Sequence, residues 1–119
     1  MGLRQEQMAF VGDVILLLEK AKELGYEVTL GEALRPVEMQ ALYVKQGKSK
    51  TMDSQHLKKL AIDLNLFFNG VVCTAAEIKP LGVYWESLNK LNRWGGSWRG
   101  AVESGQSHFV DSPHFERFV

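Results

Sequence analysis

The sequence predicts an α+β domain in which a small antiparallel sheet is flanked by helices. Three observations carry that reading: an apolar repeat at helical spacing near the N-terminus, an alternating stretch over residues 61–68, and an Asn69-Gly70 pair between two apolar runs. The chain of 119 residues suits one domain, 1–119. A hydrophobic fraction of 45%, a charged fraction of 24% and zero formal net charge describe a globular chain, not a disordered or fibrous one.

Val11, Val14, Ile15, Leu18 and Ala21 recur at helical spacing, and Gly25 follows where a helix end wants a residue free to take positive φ. A helix is therefore expected over about residues 4–24. Tyr26-Glu27-Val28-Thr29-Leu30 alternates and reads as a strand leading to Arg35. Pro36 suits the first turn of a second helix running from Val37 to about Val44, and Gln46 to Asp53 reads as an exposed lysine-rich loop. In the strand over residues 61–68, Ile62, Leu64 and Leu66 share one face while Ala61, Asp63, Asn65 and Phe67 share the other. Thr74 with Glu77 forms a capping box, and Leu81, Tyr84, Trp85, Leu88 and Leu91 make a helical stripe that reads as core. Trp94-Gly95-Gly96-Ser97-Trp98 then enters a loop, and a last extended segment is expected near Ser107 to Val119.

Composition narrows the function. The lone Cys73 excludes an internal disulfide and a cysteine-based zinc cluster, so a metal site must use histidine and carboxylate. Lys45, Lys48, Lys50, Lys58 and Lys59 are too thin a basic patch to imply nucleic acid. The apolar run Val14 to Leu18 follows Asp13 and is neither a signal peptide nor long enough to span a bilayer. The expectation is a chain made as a soluble cytoplasmic protein, a monomer with no membrane insertion, that reaches any cell wall by lysis or delivery.

Two of the three histidines sit beside acids. His56 ends a polar loop seven residues before Asp63, and His114 follows Asp111-Ser112-Pro113 at the start of a strand. Two imidazoles and a carboxylate would leave zinc an open fourth position, the pattern of a catalytic site. From spacing alone, histidines that merely satisfy the core are the commoner case.

The combination Ser54-x-His56-x6-Asp63 leading into a strand, then Trp94-Gly95-Gly96, then Asp111-x-x-His114-Phe115-Glu116, resembles the M15 family of zinc peptidases. These comprise D-Ala-D-Ala carboxypeptidases and L-alanyl-D-glutamate endopeptidases, and the phage endolysin branch is the nearest in pattern. The likeness covers about residues 26–116 and implies a Hedgehog/DD-peptidase-like fold. It also implies Zn2+ held by His56, Asp63 and His114, with Asp111 as the base that takes a proton from water. Arg35 resembles the family arginine that steadies the oxyanion or a substrate carboxylate, and Ser54 the serine that meets substrate. Trp94 and Trp98 are candidates to floor the cleft. Each has a plainer alternative: a turn cap for Asp111, a surface arginine paired with Glu38 for Arg35, a loop hydroxyl for Ser54, and packing under a glycine-rich turn for the tryptophans. Glu116 shares the strand parity of His114 and is a candidate to orient an imidazole. His108 lies outside the motif and reads as structural.

Two departures stand out: Lys59 where many relatives have Gly, and Ser97 where many have Asp. The implied activity is hydrolysis of a peptidoglycan stem peptide, between L-Ala and D-Glu. The alternatives are a D-Ala-D-Ala carboxypeptidase or dipeptidase, and a non-catalytic zinc-binding phage structural or wall-binding module.

Overall fold

A computed structural model describes residues 2–31, 33, 42, 44–46, 58–97 and 112–119. The N-terminal apolar repeat forms helix α1, Leu3–Glu23. Its buried face is Phe10, Leu17 and Ala21, with Val14 and Leu18 at the margin. Val11 and Ile15, part of the expected stripe, are turned outward. They line an apolar cleft of about 370 Å³ between α1 and the residues around Ala61. Gly25 stops the helix at φ 89°. Its N–H donates to the Lys22 carbonyl and that of Tyr26 to the Ala21 carbonyl, the paired bonds of a Schellman end.

Strand β1, Glu27–Leu30, pairs antiparallel with β2, Ala61–Phe68, which has the span expected from sequence. Asn69 and Gly70 both take positive φ, as the tight hairpin into β3, Val71–Val72, requires. Thr74 and Glu77 complete both halves of the capping box that opens α2, Ala75–Leu88. Leu91 falls outside that helix, because Asn89 turns to extended backbone and ends it. The strand β4, Asn92–Trp94, was not expected, since three residues are too short to show alternation. A single 3₁₀ turn, Gly95–Ser97, follows it. The last described strand is β5, His114–Arg117, within the extended segment expected, of which residues 107–111 lie outside the described residues. Of the expected helix from Val37 to Val44, only Leu42 and Val44 are described and both are helical; the rest of it lies outside the described residues.

The sheet runs β1-β2-β5-β4, with β3 also on β2, and every described pairing is antiparallel. The final strand is thus an inner one. One face of the sheet meets both helices through Leu64, Leu66, Leu81, Trp85 and Phe115, all essentially inaccessible to solvent. Trp85 stands edge-on to Phe10 and Phe115 and donates its indole N–H to the Glu116 and Arg93 carbonyls, at 3.0 and 3.2 Å. Among the described residues no helix is long and apolar enough to cross a membrane.

Arg117, 2% exposed, is buried against α1. Its guanidinium donates to Glu6 Oε2 at 3.1 Å and Asp13 Oδ2 at 3.2 Å, and Asn92 Nδ2 also donates to Asp13. A buried ion set of this kind adds little over an apolar one, but breaking it strands a charge. Arg117→Met should therefore cost about 3–5 kcal/mol in urea unfolding. Adding Glu6→Leu should recover part of the loss, because the orphaned carboxylate leaves with it.

Candidate functional site

Strand alternation gives β5 two jobs. Phe115 and Arg117 enter the helix-facing core, so His114 and Glu116 point to the opposite face. The β2–β5 register sets Asp63 directly across from His114, and the β4–β5 register sets Arg93 across from Glu116. Opposed residues share a face, so four polar side chains form a line over three strands. Asp63 Oδ1 is 3.0 Å from His114 Nδ1, and Glu116 Oε1 is 2.6 Å from His114 Nε2. Arg93 closes the line, its Nε and a terminal nitrogen donating to Glu116 Oε2 at 3.1 and 2.6 Å. The Arg93 guanidinium lies 3.9 Å over the Phe118 ring.

Burial of His114 opposes its charge, but the hydrogen bonds to Asp63 and Glu116 outweigh that cost and push its pKa up to about 9. Burial likewise favours protonated Glu116, yet hydrogen bonds from His114 and Arg93 hold its carboxyl below the usual range. The two carboxylates grip opposite ring nitrogens, so they cannot converge on one point. Among the described residues no three His, Cys, Asp or Glu side chains form a metal-holding group.

Asp63 and His114 are thus brought together as the sequence suggested, and Glu116 holds the imidazole as its strand parity suggested. His56, Arg35, Ser54, Trp98, His108 and Asp111 lie outside the described residues. Trp94, expected as a substrate contact, takes the plainer alternative: it is 4% exposed, packed beneath the glycine-rich turn. A Cβ on Gly82 or Gly96 would come within 2.1 Å of its ring. Lys59 sits at φ 59°, in the left-handed region that glycine enters without strain. Arg93, Glu86 and Gly31 were not singled out from sequence. Gly31 approaches Asp63 so closely that a Cβ would lie 2.9 Å from the Asp63 carbonyl, and its N–H donates to that carbonyl at 2.8 Å. Only its position five residues after Tyr26, at a strand's end, hinted at a need for glycine.

The raised pKa of His114 has a definite sign in stability. A folded value of about 9 against 6.5 unfolded gives stabilisation that is complete below pH 6.5 and lost as pH rises through 9. With a chelator present, unfolding free energy should fall by on the order of 3 kcal/mol between pH 6.5 and 9.5. His114→Gln should flatten that slope.

A family model described as phage L-alanyl-D-glutamate peptidase matches residues 5–118. The L-alanyl-D-glutamate peptidase of Listeria phage A118 is 33% identical over 102 residues, covering 84% of this chain and 34% of that protein. The chain thus spans about a third of that relative's length. The crystal structure of Serratia marcescens L-Ala D-Glu endopeptidase ChiX superposes with a TM-score of 0.66 at 24% identity, covering 89% of this chain and 78% of that one, a likeness of fold. With the match running from α1 through β5 and including Asp63 and His114, the chain belongs to the phage L-alanyl-D-glutamate peptidase family.

Proposed function

We propose that this protein is a zinc-dependent peptidase that hydrolyses the L-alanyl–D-glutamate bond of the peptidoglycan stem peptide. Family membership supports the reaction, and the observation that carries the reading is the Asp63–His114 pair held from behind by Glu116. Two donors on tetrahedral zinc, each bonded at about 2.0–2.1 Å, stand roughly 3.3 Å apart. The 3.0 Å between Asp63 Oδ1 and His114 Nδ1 fits that spacing. Glu116 on Nε2 would keep the proton there and leave Nδ1 as the donor, the carboxylate–histidine arrangement of many zinc sites. In this reading His56 is the third ligand.

Zinc in such a set supplies Lewis-acid polarisation of the scissile carbonyl and a more acidic water. The remaining work belongs to the chain. Asp111 accepts the proton of the attacking water as the C–O bond forms, then returns it to the departing D-Glu amine as the C–N bond breaks. Arg35 turns its guanidinium to the developing oxyanion, and Ser54 contributes a hydroxyl to substrate. Access to the wall would come through cell lysis or delivery.

Metal analysis of the purified protein should find about one zinc per chain, as a mononuclear site requires. His56→Ala and His114→Ala should abolish tight binding; metal lost in His108→Ala but kept in His114→Ala would overturn the ligand set. Digested peptidoglycan should release stem peptides with a new N-terminal D-Glu, whereas free D-Ala alone would move the reaction to a carboxypeptidase.

Asp111→Ala separates catalyst from turn cap. As the base, its loss should leave zinc content and melting temperature nearly intact while lowering hydrolysis about 10²- to 10⁴-fold. A folded, zinc-loaded Asp111→Ala protein with near-normal turnover would sink the mechanism.

A further inference from the structure

The ring of Trp94 is seated without slack. Gly82 on α2 lies against its Cγ–Cδ2–Cε3 edge and Gly96 against its Cε2–Cζ2–Cη2 edge, each so near that a methyl group would enter the indole. A ring held this way points its N–H in one direction. That N–H donates to the Ser112 carbonyl at 2.8 Å, across eighteen residues of sequence. The next carbonyl, that of Pro113, accepts from Leu64 N–H at 2.9 Å. Two successive carbonyls immediately before His114 are thus fixed, one from β4 and one from β2.

The same tryptophan is tied down by its backbone. Glu86 Oε2 accepts the Trp94 N–H at 3.1 Å, and the Ser97 hydroxyl lies 2.9 Å from both Glu86 Oε2 and the Trp94 carbonyl. One carboxylate from α2 therefore gathers the end of β4 and the turn after it, while the indole reaches to the other end of the intervening sequence. The pyrrole nitrogen is the link between them.

We propose that Trp94 is a positioning residue that, with Glu86 and Ser97, forms a clasp fixing the Ser112–Pro113 turn that delivers His114 to Asp63. The inference rests on the peptidase reading above. A phenylalanine keeps most of the packing volume but lacks the N–H, so the clasp opens while the core remains filled. An aspartate at position 97 would set a second carboxylate against Glu86, and like charges at that distance repel.

The test uses the full chain loaded with zinc and a soluble muramyl peptide carrying the L-Ala–D-Glu bond. Trp94→Phe should lower kcat about 10- to 100-fold, the cost of displacing a catalytic group by a fraction of an ångström to one ångström, with KM and zinc content unchanged. Ser97→Asp should lower kcat in the same manner, and Glu86→Gln in that background should restore it. In ¹⁵N-tryptophan spectra of the parent protein the Trp94 indole N–H should exchange slowly with D₂O, and in Ser97→Asp it should exchange faster. Parent-like kcat in folded, zinc-loaded Trp94→Phe would overturn the clasp, as would a fall in melting temperature with turnover per folded molecule unchanged. Should Trp94→Phe fail to fold, the Ser97→Asp and Glu86→Gln pair decides by the presence or absence of rescue. A parent protein inert toward the peptide would defeat the peptidase reading itself, and the exchange measurements would then judge the clasp alone.

Discussion

The pairing of β2 with β5 in a register that opposes Asp63 to His114 is the constraint on which the rest of the molecule depends. Side chains on a strand alternate, so fixing His114 on one face fixes Glu116 beside it and sends Phe115 and Arg117 to the other. A slip of one residue would put Phe115 where the histidine belongs and drive an imidazole into the apolar core. The large buried groups on the far face, Trp85 and Phe115 above all, hold the register that the polar face uses. Core packing and site geometry are therefore two readings of one strand alignment.

The polar line from Asp63 through His114 and Glu116 to Arg93 shows how a fold tolerates charge out of water. Each member has a partner of opposite sign or a hydrogen-bonding neighbour, and the line ends on an arginine that is half exposed and rests on Phe118. The network is costly to break at any single point, because removing one member leaves another buried and unmatched. The same logic governs Arg117, Glu6 and Asp13 on the opposite face.

The sequence carried the elements with strong local signals. The 61–68 strand, the Asn69-Gly70 hairpin and the Thr74–Glu77 cap are determined by residues within a few positions of one another, and each formed as expected. Asp63 and His114 were legible because a ligand-like motif names them, and Glu116 because parity along a strand is simple arithmetic. What stayed hidden depends on partners distant in the chain. β4 exists only because β5 pairs with it; Arg93 matters only because that pairing sets it against Glu116. Val11 and Ile15 looked like core because helical spacing cannot say which of two apolar faces a sheet will cover. Trp94 looked like a cleft residue because a tryptophan beside glycines suits both a binding floor and a tight packing seat.

The position of β5 has a consequence for the life of the molecule during synthesis. The last of the described strands in chain order is an inner strand of the sheet, flanked by β2 on one side and β4 on the other. Until it arrives, Glu6 and Asp13 lack the guanidinium of Arg117, and Ala61 to Asp63 lack the strand that pairs with them. The described elements that precede β5 therefore hold neither the finished core nor the Asp63–His114 pair until that strand docks. For a protein proposed to cut a cell wall, an order of assembly that delays competence until β5 has docked is a form of timing written into the topology.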